Sequence, residues 1–409
     1  MSVGQSYLLL YEVKEGWATL KGAAEKECFG SSSARSTELS AGNLPMTGFS
    51  VQALILFALA THCCNNFEES RVLLDRAITM ALEIKMQSRS FAQENGEGNA
   101  VLEESWRRTW WLLFITDGTF AGIMRETSFK LSNIPTDVDL PCEEREYAEG
   151  NIPAPKSLLE YETREFSDAE ISFSSFTYLI DGARIISAVL PTISQPGEYS
   201  DHAATAANAK LVGWLVHLPE CKKQIINDSE RIDEVNFQAH MLINLLVLYL
   251  HRPRSRLAYS DAEGSSKCTV TPPPEQMTRM RQKAYALHTS KTLSSLEMLL
   301  DMMALPTPIL KHTPLIICGV GMAIMGQMAA CNLVLESDKV DEGRERIRLG
   351  IGALKEFTEV WPLGRRTNLE IKAICRQLLN IPNTNGIGTP METLLGHEDE
   401  FRTLTATSI

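Results

Sequence analysis

Apolar residues along this chain recur every three or four positions, the spacing of helix faces, and nowhere alternate strictly in the way a half-buried strand requires. A first face over 7–28 runs through Leu10, Val13, Trp17, Leu20 and Ala24, and a Ser-rich loop over 30–44 follows it. Residues 51–64, with Ser50 as candidate cap, and 67–87, carrying Leu73, Ala77, Met80 and Ile84, predict a helical hairpin turned at Asn65-Asn66. Further helices are expected over 169–190 and 203–218. The run 237–250 is apolar nearly all round, which predicts a central helix. Residues 277–305, 313–336, 341–360 and 369–379 complete the set, and no fixed-period repeat makes it a regular solenoid. The fold class expected is all-α, an irregular multi-helix bundle or superhelix.

One stretch, 103–141, organises the rest. Trp106, Trp110, Leu113 and Phe114 form one stripe, and Trp111 and Ile115 widen it. Arg107 and Arg108 stand four residues after Glu103 and Glu104, so each can pair across one turn. Asp117 shares the phase of Trp106, Trp110 and Leu113, which places a carboxylate against the largest apolar surface in the chain. An ionised group there needs a counter-charge, and Arg125 or Arg108 is the expected one. Beyond Arg125 the pattern breaks into Ser132-Asn133-Ile134-Pro135 and then Thr136-Asp137-Val138-Asp139-Leu140-Pro141, a proline-bounded loop with two aspartates facing outward.

The series Arg107-Arg108-Thr109-Trp110-Trp111, then Asp117, then Asp137-Val138-Asp139-Leu140-Pro141 resembles the regulatory middle-homology domain of fungal zinc-cluster transcription factors. The hairpin sequences Val51-Gln52-Ala53-Leu54 and Ala77-Ile78-Thr79-Met80-Ala81, and the helix ending Leu250-His251-Arg252-Pro253, are similar to the same family. The chain departs from it where the family has Gly-Arg-Pro and this sequence has Arg125-Glu126-Thr127. The resemblance covers about 51–377 and implies a nuclear role in transcription, acting through dimerisation, effector binding or contact with other regulators.

Composition narrows the picture. With 44% hydrophobic and 22% charged residues the chain is an ordinary globular sequence, and its formal net charge of -12 argues against a surface built as a whole to coat phosphate backbones. Nine scattered cysteines include no Cys-x-x-Cys, so the six thiolates of a zinc binuclear cluster are not here, and free thiols of a reducing compartment are expected. Zinc is expected only if such a cluster precedes this sequence; no other cofactor is expected. No secretory signal opens the chain, since Leu8-Leu9-Leu10 meets Glu12, Lys14 and Glu15 at once. Residues 314–335 are long and apolar enough for a membrane span, but Gln327, Asn332 and three glycines favour a core helix.

Candidate chemistry is sparse. The eight histidines lack His-x-x-x-His spacing, no Gly-x-Ser-x-Gly elbow occurs, and Gly319, Gly321 and Gly326 miss the dinucleotide fingerprint. His251, Arg252, Arg254 and Arg256 form a basic group that suits either phosphate or, more simply, a helix C-terminus. Arg365-Arg366 reads as a solvated turn. Asp137 and Asp139 suit a cation or local capping. Met298, Met302, Met303, Met322, Met325 and Met328, with the tryptophan helix, suit a core or the lining of an effector pocket. Residues 142–165 read as an acidic surface excursion and 261–274 as an exposed linker.

The expected organisation is a helix and Ser-rich loop over 1–48, a helical regulatory domain over 49–380 and a flexible tail over 381–409. The expected function is regulation of a metabolic gene cluster of a fungus by effector sensing or partner binding, with DNA reached only indirectly and no membrane. The alternatives are a helical small-molecule-binding protein or enzyme of a biosynthetic pathway, and a membrane scaffold anchored at 314–335.

Overall fold

The computed structural model describes residues 44–166, 172–194, 198–226, 231–257, 259–266 and 286–378. The helix expected over 7–28, most of the Ser-rich loop and the tail lie outside the described residues. Among those described there are fourteen α-helices and no strand pairing beyond two isolated bridges, Leu140 with Lys156 and Ile226 with Ile232. The fold is all-α.

Helix α1 (Gly48–Cys63) is capped by Thr47, whose hydroxyl accepts from the Ser50 amide at 3.3 Å. Ser50 is therefore inside the helix and is not its cap. Gly48 opens it because the Trp106 ring lies so close that a Cβ there would sit 2.6 Å from the indole. Asn65, at a φ of 68°, turns the chain, and Asn66 caps α2 (Phe67–Glu83) by accepting from the Glu69 amide. These two helices are the expected hairpin. A short α3 (Arg89–Glu94) leads to α4 (Ala100–Met124), the tryptophan helix, whose 25 residues span roughly 37 Å. It ends on Arg125 in the left-handed conformation, at a φ of 59°, where the altered Gly-Arg-Pro segment begins.

The stretch after Pro141 is more ordered than its composition suggests. It holds α5 (Glu144–Glu149) and α6 (Leu158–Glu162), each closed by a reciprocal capping box, and it is pinned by the buried rings of Tyr147 and Tyr161. Two well-placed aromatic side chains outweigh the acidic surroundings. Then follow α7 (Ser175–Ser194), α8 (Glu198–Val216), the one-turn α9 (Glu220–Lys223) and α10 (Glu234–His251). Helix α10 packs on both α7 and α8, and Val235, Phe237, Ala239, Ile243 and Leu250 on it are almost wholly buried, as its all-round apolar pattern predicts.

The last layer is α11 (Ala286–Asp301), α12 (Ile316–Leu333), α13 (Ser337–Thr358) and α14 (Pro362–Leu378). Helix α12 is long and apolar enough to cross a membrane, yet 83% of it is buried against α11, α13 and α14. It is a core helix. Helix α14 begins at Pro362, seven residues earlier than expected, because proline is preorganised for a first turn. Arg365 and Arg366 therefore sit in a helix and not in a turn; Arg366 pairs with Glu370 at 3.3 Å and lies over the Phe67 ring at 4.8 Å. The C-terminal helix is thereby joined to the first hairpin, and one hydrophobic cluster runs from Leu44 to Cys375.

Candidate functional site

Two features stand out along α4: a seam of buried ion pairs and, beside it, a cavity. The seam starts at Glu104, whose carboxylate is buried and accepts from Arg107 Nε at 2.9 Å, from Arg108 Nε at 2.8 Å and from the Cys142 amide at 2.9 Å. Positions three and four residues on from Glu104 both face it, so one carboxylate serves two guanidinium groups. Arg107 also reaches Glu103, at 3.8 Å. Arg108 goes further, donating to Glu144 and to the carbonyl of Cys142 at 2.8 Å, while Tyr147 lies under its guanidinium at 4.2 Å. The site is closed: each charge has several partners.

Asp117 is fully buried, and its partner is neither Arg125 nor Arg108. Arg71, from the hairpin helix α2, donates to Oδ1 at 3.0 Å, and the Leu131 amide donates to Oδ2 at 2.9 Å. The expectation failed because Asp117 looks across to another helix, which spacing along α4 cannot reveal. Burial pushes the Asp117 carboxyl up, against the pull of the Leu131 amide and Arg71.

The loop after α4 is sewn down residue by residue. Asp137 accepts from the Arg89 amide at 2.8 Å, at the start of α3, and Asp139 pairs with the Arg89 guanidinium at 2.9 Å. Val138 between them and Leu140 after them turn inward to 3% exposure, which explains the alternation of aspartate and apolar residue. The Trp111 indole donates to the Asp139 carbonyl at 3.0 Å, and Ser174 donates to the Pro141 carbonyl at 2.6 Å. Trp106 donates to the Asn95 carbonyl at 2.8 Å, while the wholly buried Trp110 indole has no hydrogen-bond partner among the described residues. Both aspartates are taken by Arg89, so this loop is a clasp and not a cation site; among the described residues no group of acidic, His and Cys side chains could hold a metal.

The basic group at the end of α10 also turns inward. Arg252 is buried and donates from Nη2 to both oxygens of the buried Glu263, at 2.9 and 2.8 Å, with the Tyr259 ring 4.3 Å away. Glu263 lies in the segment expected as an exposed linker; its pairing with Arg252 folds 261–265 into a short 3-10 helix. His251 meets His288 at 2.7 Å and Asn208 at 3.1 Å, and burial, with His288 next, pushes its ring down to about 3. Arg254 donates to the Leu250 and Thr192 carbonyls, and Pro253 is half-buried in the turn. A phosphate would find only Arg256 exposed here.

The cavity of 570 Å³ lies where α4, the loop after it, α6, α7 and α8 meet. Its base is aromatic: Trp111 and Phe114 from α4, Phe129 from the loop and Trp214 from α8. The rings pack edge to face, Phe114 to Phe129 at 5.2 Å and Trp111 to Phe114 at 5.8 Å. Both lining indoles spend their N–H on backbone carbonyls, Trp111 on Asp139 and Trp214 on Tyr178 at 3.0 Å, so they present apolar surface. Arg164, Arg184 and Lys210 line the mouth, against one carboxylate, Asp181, which accepts from the Tyr161 hydroxyl at 2.9 Å. The methionines expected as pocket lining are elsewhere: Met302, Met303, Met322, Met325 and Met328 are core, and Met298 is half-exposed.

Sequence spacing singled out Trp111 and Phe114, both on α4, among the aromatic and charged lining residues. Trp214, Arg164, Arg184 and Lys210 come from three separate segments of the chain, and the one local signal was a glycine beside a tryptophan, Gly213-Trp214, in the last turn of α8. A second cluster, Ser175 with Lys222 at 2.5 Å and Asp233 at 2.5 Å, has the residue types of a Ser–Lys nucleophile. Burial pulls the Lys222 ammonium down, but Glu143 at 2.8 Å outweighs it and leaves the group above its ordinary value. A lysine held protonated cannot take the serine proton, so the cluster ties α7 to α9 and α10 and is not catalytic.

Comparison with known proteins agrees with this geometry. The profile of the fungal specific transcription factor domain matches residues 44–234, the stretch that holds the hairpin, the seam and every residue lining the cavity. A C6 finger domain transcription factor of Pestalotiopsis fici, iacK, is 34% identical over 341 residues, which make up 83% of this chain and 49% of that protein. The chain thus spans about half the length of the curated relative it matches. No solved structure matches. Both findings point to transcription factors and not to an enzyme family.

Proposed function

This chain belongs to the fungal specific transcription factor domain family, and from that premise we propose that it regulates transcription in the nucleus of a fungus, of a metabolic gene cluster, with its helical domain as the sensing and partner-binding part. The observation that supports this most is the match over 44–234, reinforced by the relative's description as a transcription factor. Within these 409 residues the net charge is -12 and no Cys-x-x-Cys occurs, so contact with DNA is assigned to a partner and not to the surface of the helical domain. The cavity is where an effector enters. Its size lies within the roughly 300–1,000 Å³ of small-molecule sites, and its aromatic base with a few polar groups at the mouth is their usual chemistry.

A tethering experiment tests the role. Fused to an unrelated DNA-binding domain, the chain is expected to raise or lower transcription of a reporter carrying that domain's site. A folded, nuclear fusion whose reporter output equals that of the DNA-binding domain alone would remove the regulatory reading.

A further inference from the structure

The geometry points to a small amphipathic organic anion, a carboxylate on an aromatic or aliphatic body, as the occupant of the cavity between α4, α7 and α8. This rests on the reading of the domain as a sensor and adds the ligand's chemical class. Three observations carry it.

The base of the cavity is aromatic. Trp111, Phe114, Phe129 and Trp214 are all buried, and their indole N–H groups are already engaged, so what they leave for a ligand is apolar surface. A polar ion such as phosphate gains nothing there, whereas a hydrocarbon body gains the area it removes from water.

Three cations, Arg164, Arg184 and Lys210, line the mouth beside one lining carboxylate. Arg184 reaches Asp181 and Glu162, and Arg164 reaches Glu165 and the Tyr161 carbonyl, but among the described residues Lys210 meets no carboxylate. His217, also at the mouth, is taken by Glu165 at 2.8 Å. The one lining carboxylate, Asp181, is pushed up by burial and held by the Tyr161 hydroxyl. A carboxylate at Lys210 completes the pairing that the protein leaves open, and the unused donors of the two guanidinium groups can share it.

Gly213 lies between Lys210 and Trp214 on the wall. A Cβ added there would meet nothing within 4 Å, and its backbone is ordinary helix, so neither packing nor conformation asks for glycine. Gly213 is the fourth residue from the end of α8, still inside the helix, where glycine costs stability relative to alanine. What it provides at this position is room above the aromatic base.

The test is calorimetric titration of the purified 409-residue chain with 2-naphthoate, benzoate and decanoate, beside 2-naphthamide and inorganic phosphate. At least one of the carboxylates is expected to bind with a Kd below about 1 mM, with phosphate silent and 2-naphthamide about tenfold weaker than 2-naphthoate. Lys210→Ala is expected to weaken the carboxylate about tenfold and leave the amide unchanged, with no change in Tm. Gly213→Phe, whose Cβ meets nothing within 4 Å and whose ring takes up the open wall, is expected to abolish both. Equal affinity for naphthoate and naphthamide, binding untouched by Gly213→Phe, or no binding by any of the three carboxylates would overturn the assignment. Failure of the ligand class and failure of the regulatory role are separable: carboxylate binding with a silent tethered reporter leaves the site and removes the role, and an active reporter without binding does the reverse.

Discussion

The seam at Glu104 and the mouth of the cavity both gather arginines beside α4, yet they are opposite in design. At the seam, Glu104, Arg107 and Arg108 are buried and every charge has a partner at hydrogen-bond distance. At the mouth, Lys210 stands exposed with no carboxylate in reach among the described residues, and the arginines beside it are half-buried with exposed partners. Saturated charges hold a fold in one arrangement, because removing any member strands another in a dry site. An exposed charge above an apolar floor and without a carboxylate, as at Lys210, holds nothing together and can meet a ligand. The family motif thus marks the scaffold, and the less fully paired charges lie on the neighbouring helices.

The largest effect should come from breaking the closed side. Glu104→Ala leaves two buried guanidinium groups short of their counter-ion and is expected to cost about 3–5 kcal/mol. Urea denaturation reads it as a lower midpoint. An unfolding free energy within about 1 kcal/mol of the parent would erase the distinction between seam and mouth.

Acid should sharpen the comparison next. His62 is wholly buried between the rings of Phe67 and Phe120, each 4.8 Å away, and neither ring nitrogen has a hydrogen-bond partner among the described residues. Burial, helped by Arg366, pushes it from 6.5 down to about 4. The unfolded chain therefore takes up the proton first, so stability is intact above the unfolded value and falls as pH drops from 6.5 to about 4. The loss is about 3 kcal/mol over that window. Buried carboxyls such as Asp117 are pushed up and contribute the opposite slope, so the measurement is the difference between the parent and His62→Leu. His62→Leu is expected to be relatively more stable as pH falls; parallel pH profiles would mean that the ring is not held neutral.

The smallest effect belongs to the open side and has the opposite sign. Gly213→Ala is expected to stabilise by about 1 kcal/mol, since alanine is the better helix former and nothing crowds the new methyl group. Thermal unfolding reads it as a higher Tm. Destabilisation would show that the wall of the cavity is packed and not open.

Much of the scaffold was legible along the chain because helix faces repeat locally. The spacing of Trp106, Trp110 and Leu113, the Glu104 to Arg108 turn and the all-round apolar run over 237–250 are relations between residues a few positions apart, and each stands as read. The candidate site was scarcely legible. Arg71 with Asp117, Glu263 with Arg252 and Arg89 with both loop aspartates join residues separated by many positions, which periodicity does not register. The departures in 142–165 and at Pro362 have the same origin: two buried tyrosines and a proline at a first helical position outweighed average composition.

The sequence by itself determined that this protein is built of helices, that the tryptophan helix lies at its heart, and which family it resembles, because hydrophobic period and short motifs are properties of neighbouring residues. Only the tertiary structure decided which charges are spent on holding the fold and which remain at the mouth of a cavity, because a counter-ion is found in space, and the helices that supply it meet only once the core has formed.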